Sequence, residues 1–215
     1  DEDKRRYRWL GAMAAQAPFG VWDVARLWDE DEREAGKALQ RLARHAVLEK
    51  VQDTAEPCYR QHLLLHDDAY WRMDERERAE ALRRHVAIYL SLAQEADQKK
   101  HYQPVDAGRE QVMEALRRAK RGYSGEPGPA VGQGDDARRM VSAFVFALTE
   151  YWSLRGLVSE WLEWGQEAVS CCHALGDKLG EGNHLGNLGN LHYALGQASK
   201  AIKYHEQAQQ VARDV

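Results

Sequence analysis

Cysteine, proline and phenylalanine are scarce in this 215-residue sequence, at 3, 5 and 3 residues. Cys58, Cys171 and Cys172 make an odd count with two neighbours among them. That argues against a disulfide framework and for a reducing cytoplasm. The lack of proline and of β-branched runs, beside abundant Ala, Leu, Arg, Glu and Gln, favours helix. No apolar run approaches the roughly 20 residues of a membrane span, so no membrane association is expected. Asp1-Glu2-Asp3-Lys4-Arg5-Arg6 is not a secretory signal. An initiator Met is also missing, and the sequence reads as an excised piece of a longer chain. No Gly-x-x-x-x-Gly-Lys-Ser/Thr phosphate loop occurs. A chain without catalytic residues is therefore expected.

What is present divides unevenly. Residues 1–121 hold 23 Lys+Arg against 23 Asp+Glu, and residues 122–215 hold 7 against 11. Neither part is the basic surface that nucleic acid requires. Between them, Gly122 to Asp135 carries five glycines and two prolines and reads as a flexible linker over 122–137. Residues 1–75 show helical patterns over 5–16, 21–28 and 32–45, with acidic residues 29–32 favourable at the third N-terminus. Two short strands are expected at Val47–Val51 and Tyr59–Leu65, with turn chemistry at Asp53–Pro57. Three helices followed by a β-hairpin is the order of a winged helix. A helical connector follows over 76–121, with helices at 76–97 and 107–121.

Residues 138–215 repeat themselves. A shift of 40 residues lays Leu148 on Leu188, Gly156 on Gly196, Ala168 on Ala208 and Trp152 on His192. Such a period marks stacked helical repeats. The second copy, Leu185 to Ala208, resembles the tetratricopeptide repeat through Leu188-Gly189, Gly196, Ala201 and Ala208, with His192 and His205 where that family has aromatics. The first copy is degenerate, with Thr149 for the Gly and Trp161 for a small residue. An array of about two repeats that continues past Val215 is expected, because stacked repeats normally need about three units. Trp152, Trp161 and Trp164 read as packing residues. Asn183, Gly186, Asn190 and Tyr193 would face a protein or peptide ligand on the concave side, since an amide side chain bonds both N–H and C=O of an extended chain.

Winged helix, connector and repeats in this order, with Leu65-His66-Asp67 after the hairpin, resemble the rear part of NB-ARC (STAND) signal-transduction ATPases. The tripeptide is similar to their Met-His-Asp motif. The resemblance implies an upstream nucleotide-binding domain that holds ADP or ATP in the intact protein. It also implies that His66 approaches the ADP phosphate in a closed, inactive state while Asp67 orients the backbone. Asp67 equally reads as an N-terminal cap of a helix that begins at His66-Asp67. Two further readings stand beside this one: a stand-alone repeat adaptor, and a DNA-binding regulator whose third helix presents Arg33, Lys37, Arg41 and Arg44. Asp29 to Glu32 disfavour DNA. No metal spacing is found among the nine histidines.

Overall fold

The helix-forming composition is realised in eleven helices and one small sheet in a computed structural model that describes residues 2–52, 54 and 56–213. Two compact units divide the chain. One comprises residues 1–91 and 105–115, the other residues 92–104 and 116–215. The division falls within three helices, α5 (Glu75–Lys99), α6 (Gln103–Ala107) and α7 (Arg109–Ser124), rather than at the Gly/Pro stretch 122–137.

In the first unit, α1 (Glu2–Leu10), α2 (Val21–Trp28) and α3 (Glu32–Arg44) precede α4 (Leu63–Trp71). The start of α5 (Glu75–Lys99) completes its helical core. Trp9, Leu10, Leu27, Trp28, Leu39 and Tyr89 are buried there. The N-cap of α3 is Asp31, whose side chain accepts the Arg33 N–H, and Glu32 and Glu34 complement the dipole in its first turn. The first helix is shorter than its sequence pattern because the chain turns at Gly11. A Cβ there would lie 2.3 Å from the backbone nitrogen of Tyr70 in α4.

Three strands, β1 (Phe19–Gly20), β2 (Glu49–Val51) and β3 (Cys58–Arg60), form an antiparallel sheet with β3 in the middle. Tyr59 lies opposite Phe19 on one side and Lys50 on the other. Two residues of strand after Pro18 carry no readable alternation, so β1 has no sequence signature. The second expected strand ends at Arg60 and not at Leu65. His62 caps α4, its ring nitrogen accepting from the Leu64 N–H at 3.3 Å, and the three leucines that looked like strand open the helix instead. An apolar run this short has no period that separates the two structures. His66 therefore sits inside α4 and not at its start, and Asp67 is not its cap. The turn expected at Asp53–Pro57 contains Asp53 and Ala55, which lie outside the described residues.

The second unit takes the end of α5 and the second half of α7, while residues 105–115, most of α6 and the start of α7, belong to the first. Four helices follow: α8 (Gly134–Arg155), α9 (Val158–Leu175), α10 (Lys178–Ala194) and α11 (Ala198–Arg213). Each packs on the next, and α10 also meets α8. Gly156, Gly176 and Gly196 take left-handed φ values of 64°, 67° and 70° at the three turns between them. Only glycine enters that region without a steric cost. Trp152, Trp161 and Trp164 are buried in this stack. His192, buried where the repeat pattern has an aromatic, stacks on Tyr204 at 5.2 Å with the rings 9° from parallel.

The expected linker is a packed return. Helix α7 runs through Gly122, and a Cβ there would lie 2.7 Å from both Ala137 Cβ and the Gly132 carbonyl. Val131 is buried and donates its N–H to the Arg118 carbonyl. The glycines in this stretch permit close approach where the sequence suggested slack. Among the described residues no helix is long and apolar enough to cross a membrane.

Candidate functional site

A cavity of about 570 Å³ lies in the second unit, lined by the end of α5, by α8 and by the end of α9 and start of α10. Helix α8 supplies Arg139, Ser142 and Phe146 to its wall. The turn into α10 and the first part of that helix supply Asp177, Gly180 and His184, and the end of α5 supplies Gln94, Asp97 and Gln98. Asp177 shapes the rim because it caps α10, accepting the Gly180 N–H at 2.9 Å. Phe146 is 53% exposed although it is a large aromatic, and its ring stands nearly perpendicular to that of His184, with 6.4 Å between centroids.

Behind the wall, Ser142 Oγ lies 3.0 Å from His184 Nε2 and 3.2 Å from Cys172 Sγ. One hydroxyl thus joins α8, α9 and α10. Burial pushes the His184 ring down to about 4, opposed by the charge of Asp177, so at neutral pH the ring is uncharged. Burial also raises both thiols, Cys171 to about 11, which leaves neither as a reactive thiolate. Satisfied buried polar groups of this kind fix one arrangement of the helices.

The residues expected to contact a ligand share one stripe of α10. Asn183, Asn190 and Tyr193 are exposed and Gly186 is half-buried, with exposed Leu179 on the same stripe. None of the four lines the cavity, which lies one face over, toward α8. The cavity residues Ala143 and Phe146 were missed. The signal for them was in the repeat itself, because the 40-residue shift lays Asn183 on Ala143 and Gly186 on Phe146.

His66 and Asp67 lie in the first unit. The His66 ring is 12% exposed, with Nε2 at 3.1 Å from the Met13 carbonyl and Nδ1 at 3.1 Å from the Asp67 carboxylate. Next along α4, Asp68 pairs with Arg72 and accepts the Tyr7 hydroxyl. Both ring nitrogens of His66 are thus engaged within the first unit, Nδ1 by the adjacent Asp67 carboxylate.

The basic residues of α3 are partly spent. Arg41 makes two hydrogen bonds to Asp3, which with Arg6 hold that carboxyl at about 2, and Lys37 pairs with Glu34. A second, open cavity at the α2–α3 turn is lined by Asp29, Glu30, Asp31 and Glu32 beside Arg26. Among the described residues no three or more His, Cys, Asp or Glu are grouped to hold a metal ion. Comparison with protein-family models, with curated proteins and with solved structures finds no match, and the site is read from its own geometry.

Proposed function

We propose that this chain is the regulatory and sensor part of a STAND-type signalling ATPase, and that its own activity is to bind a protein or peptide ligand on the α8–α10 side of a tetratricopeptide-like stack. The observation that carries the binding reading is Phe146. A large aromatic left 53% exposed in the wall of a cavity, beside amide side chains, is a surface whose apolar area is covered only on binding. The stripe Asn183, Gly186, Asn190 and Tyr193 offers a separate, exposed face of α10. A winged-helix assignment of the first unit is supported by its order, with three helices ahead of a hairpin whose sheet includes β1.

Nucleotide enters this reading only through an upstream domain. In this chain His66 is engaged by the Met13 carbonyl and the Asp67 carboxylate, so a phosphate-sensing role would require those contacts to give way. The same binding surface serves equally in a stand-alone adaptor. A DNA-binding role is disfavoured by the pairing of Arg41 and Lys37 and by the acidic cavity at the α2–α3 turn.

Two experiments test the two halves of the proposal. Selection of short peptides from a random displayed library against the full chain should return sequences that bind less tightly to Phe146→Ala and Tyr193→Ala. Both side chains are exposed, so their loss costs little stability. Recovered peptides that ignore both substitutions would remove the binding reading. For the ATPase setting, the protein extended upstream is denatured and its released ADP and ATP quantified, with His66→Ala in parallel. Nucleotide in neither protein would leave the adaptor.

A further inference from the structure

The charges around the α8–α10 cavity do not balance. Its charged lining residues are Asp97, Arg139 and Asp177. Arg139 is held by Asp136 at 3.0 Å. Lys100 is shared between Asp97 at 3.0 Å and Glu150 at 2.6 Å. The lining itself thus carries two carboxylates and one cation, and their ion-pair partners Asp136, Lys100 and Glu150 leave the acidic surplus in place.

The surplus is also locally available. Asp97 receives Lys100 and Tyr102 on one oxygen, Oδ1. Asp177 uses Oδ1 for the Gly180 N–H. Among the described residues the other oxygen of each carboxylate has no hydrogen-bond partner. Phe146, half-exposed, lines the same cavity, and an aromatic ring attracts a cation.

Resting on the partner-binding reading above, we infer that this cavity takes a lysine or arginine side chain of an extended peptide. The aliphatic stem lies along Phe146, Ala143 and Leu175, and the cationic head is received by Asp97 and Asp177. Gln94 and Gln98 on the α5 side supply donors and acceptors for the adjoining backbone. An aliphatic stem with a charged tip matches a lining that combines Phe146, Ala143 and Leu175 with the carboxylates of Asp97 and Asp177. An acidic peptide is refused by the same surplus, since like charge across an interface opposes binding.

The library selection is read for composition. Recovered peptides should share a Lys or Arg beside an apolar residue, and the Asp97→Asn/Asp177→Asn double variant should bind them roughly tenfold more weakly. Asn keeps the cap of α10 and an oxygen for Tyr102, so the variant is expected to fold. If it does not, the selected peptide is altered instead. Replacing its basic residue by Gln should weaken binding to the unaltered chain by roughly tenfold and by Glu further. Peptides that lack a basic residue yet lose affinity for Phe146→Ala would overturn this inference and leave the partner-binding reading intact. Peptides that respond to neither Phe146→Ala nor the double variant would overturn both.

Discussion

His184 and Gln111 are single residues on which whole segments depend. Burial lowers the His184 ring to about 4, below the roughly 6.5 expected in an unfolded chain. Between these values the unfolded state binds more protons, so the stability His184 permits is full above about pH 6.5 and is lost as pH falls toward 4. The expected loss is about 3 kcal/mol at most, and His184→Gln should flatten it. Denaturant midpoints measured across that range would show an unchanged slope in the variant if the assignment is wrong. Gln111 is 1% exposed; its Oε1 accepts the Ala14 N–H at 2.7 Å and lies 2.9 Å from His85 Nε2, while its Nε2 donates to the Pro18 carbonyl. Gln111→Ala strands these partners inside the first unit. A destabilisation of about 2–4 kcal/mol is expected, and a loss below about 1 kcal/mol would mean that water replaces the amide.

Helix contacts are set where side chains are smallest. A Cβ on Gly11 would meet the Tyr70 backbone at 2.3 Å, which no rotamer change relieves. On Gly165 it would meet Leu188 at 2.8 Å, and Leu188 is itself 1% exposed. On Gly189 it would meet the exposed His205 ring at 2.7 Å, and that ring is free to swing aside. Replacement by alanine should therefore destabilise in the order Gly11, Gly165, Gly189. The first should cost about 3 kcal/mol or more and the last less than about 1 kcal/mol, since alanine's helix propensity offsets part of the clash. Equal costs in thermal unfolding would show that the helices shift apart freely. At this scale the sequence was partly legible. The 40-residue shift found Gly156 and Gly196, and both take the left-handed conformation that ends a helix. The same reading placed a strand over Leu63–Leu65 and slack at Gly122, because neither a short apolar run nor a glycine says what lies against it.

For the molecule as a whole, a formal net charge of −4 and the pairing of α3's cations predict weak binding to duplex DNA. Affinity should vary little with salt. A log–log slope equivalent to several phosphate contacts would restore the DNA-binding reading. The predominance of helix, the repeat and the lack of a phosphate loop were determined by the sequence alone, because propensity, period and motif are properties of neighbouring residues. Tertiary structure alone decided that Phe146 is exposed on the cavity wall and that Asp97 and Asp177 line the same cavity. It likewise decided that His66 spends its ring on the Met13 carbonyl. Residues 97 and 177 belong to helices separated by most of the second unit's chain. No local pattern reports their proximity; only helix packing brings them to one cavity.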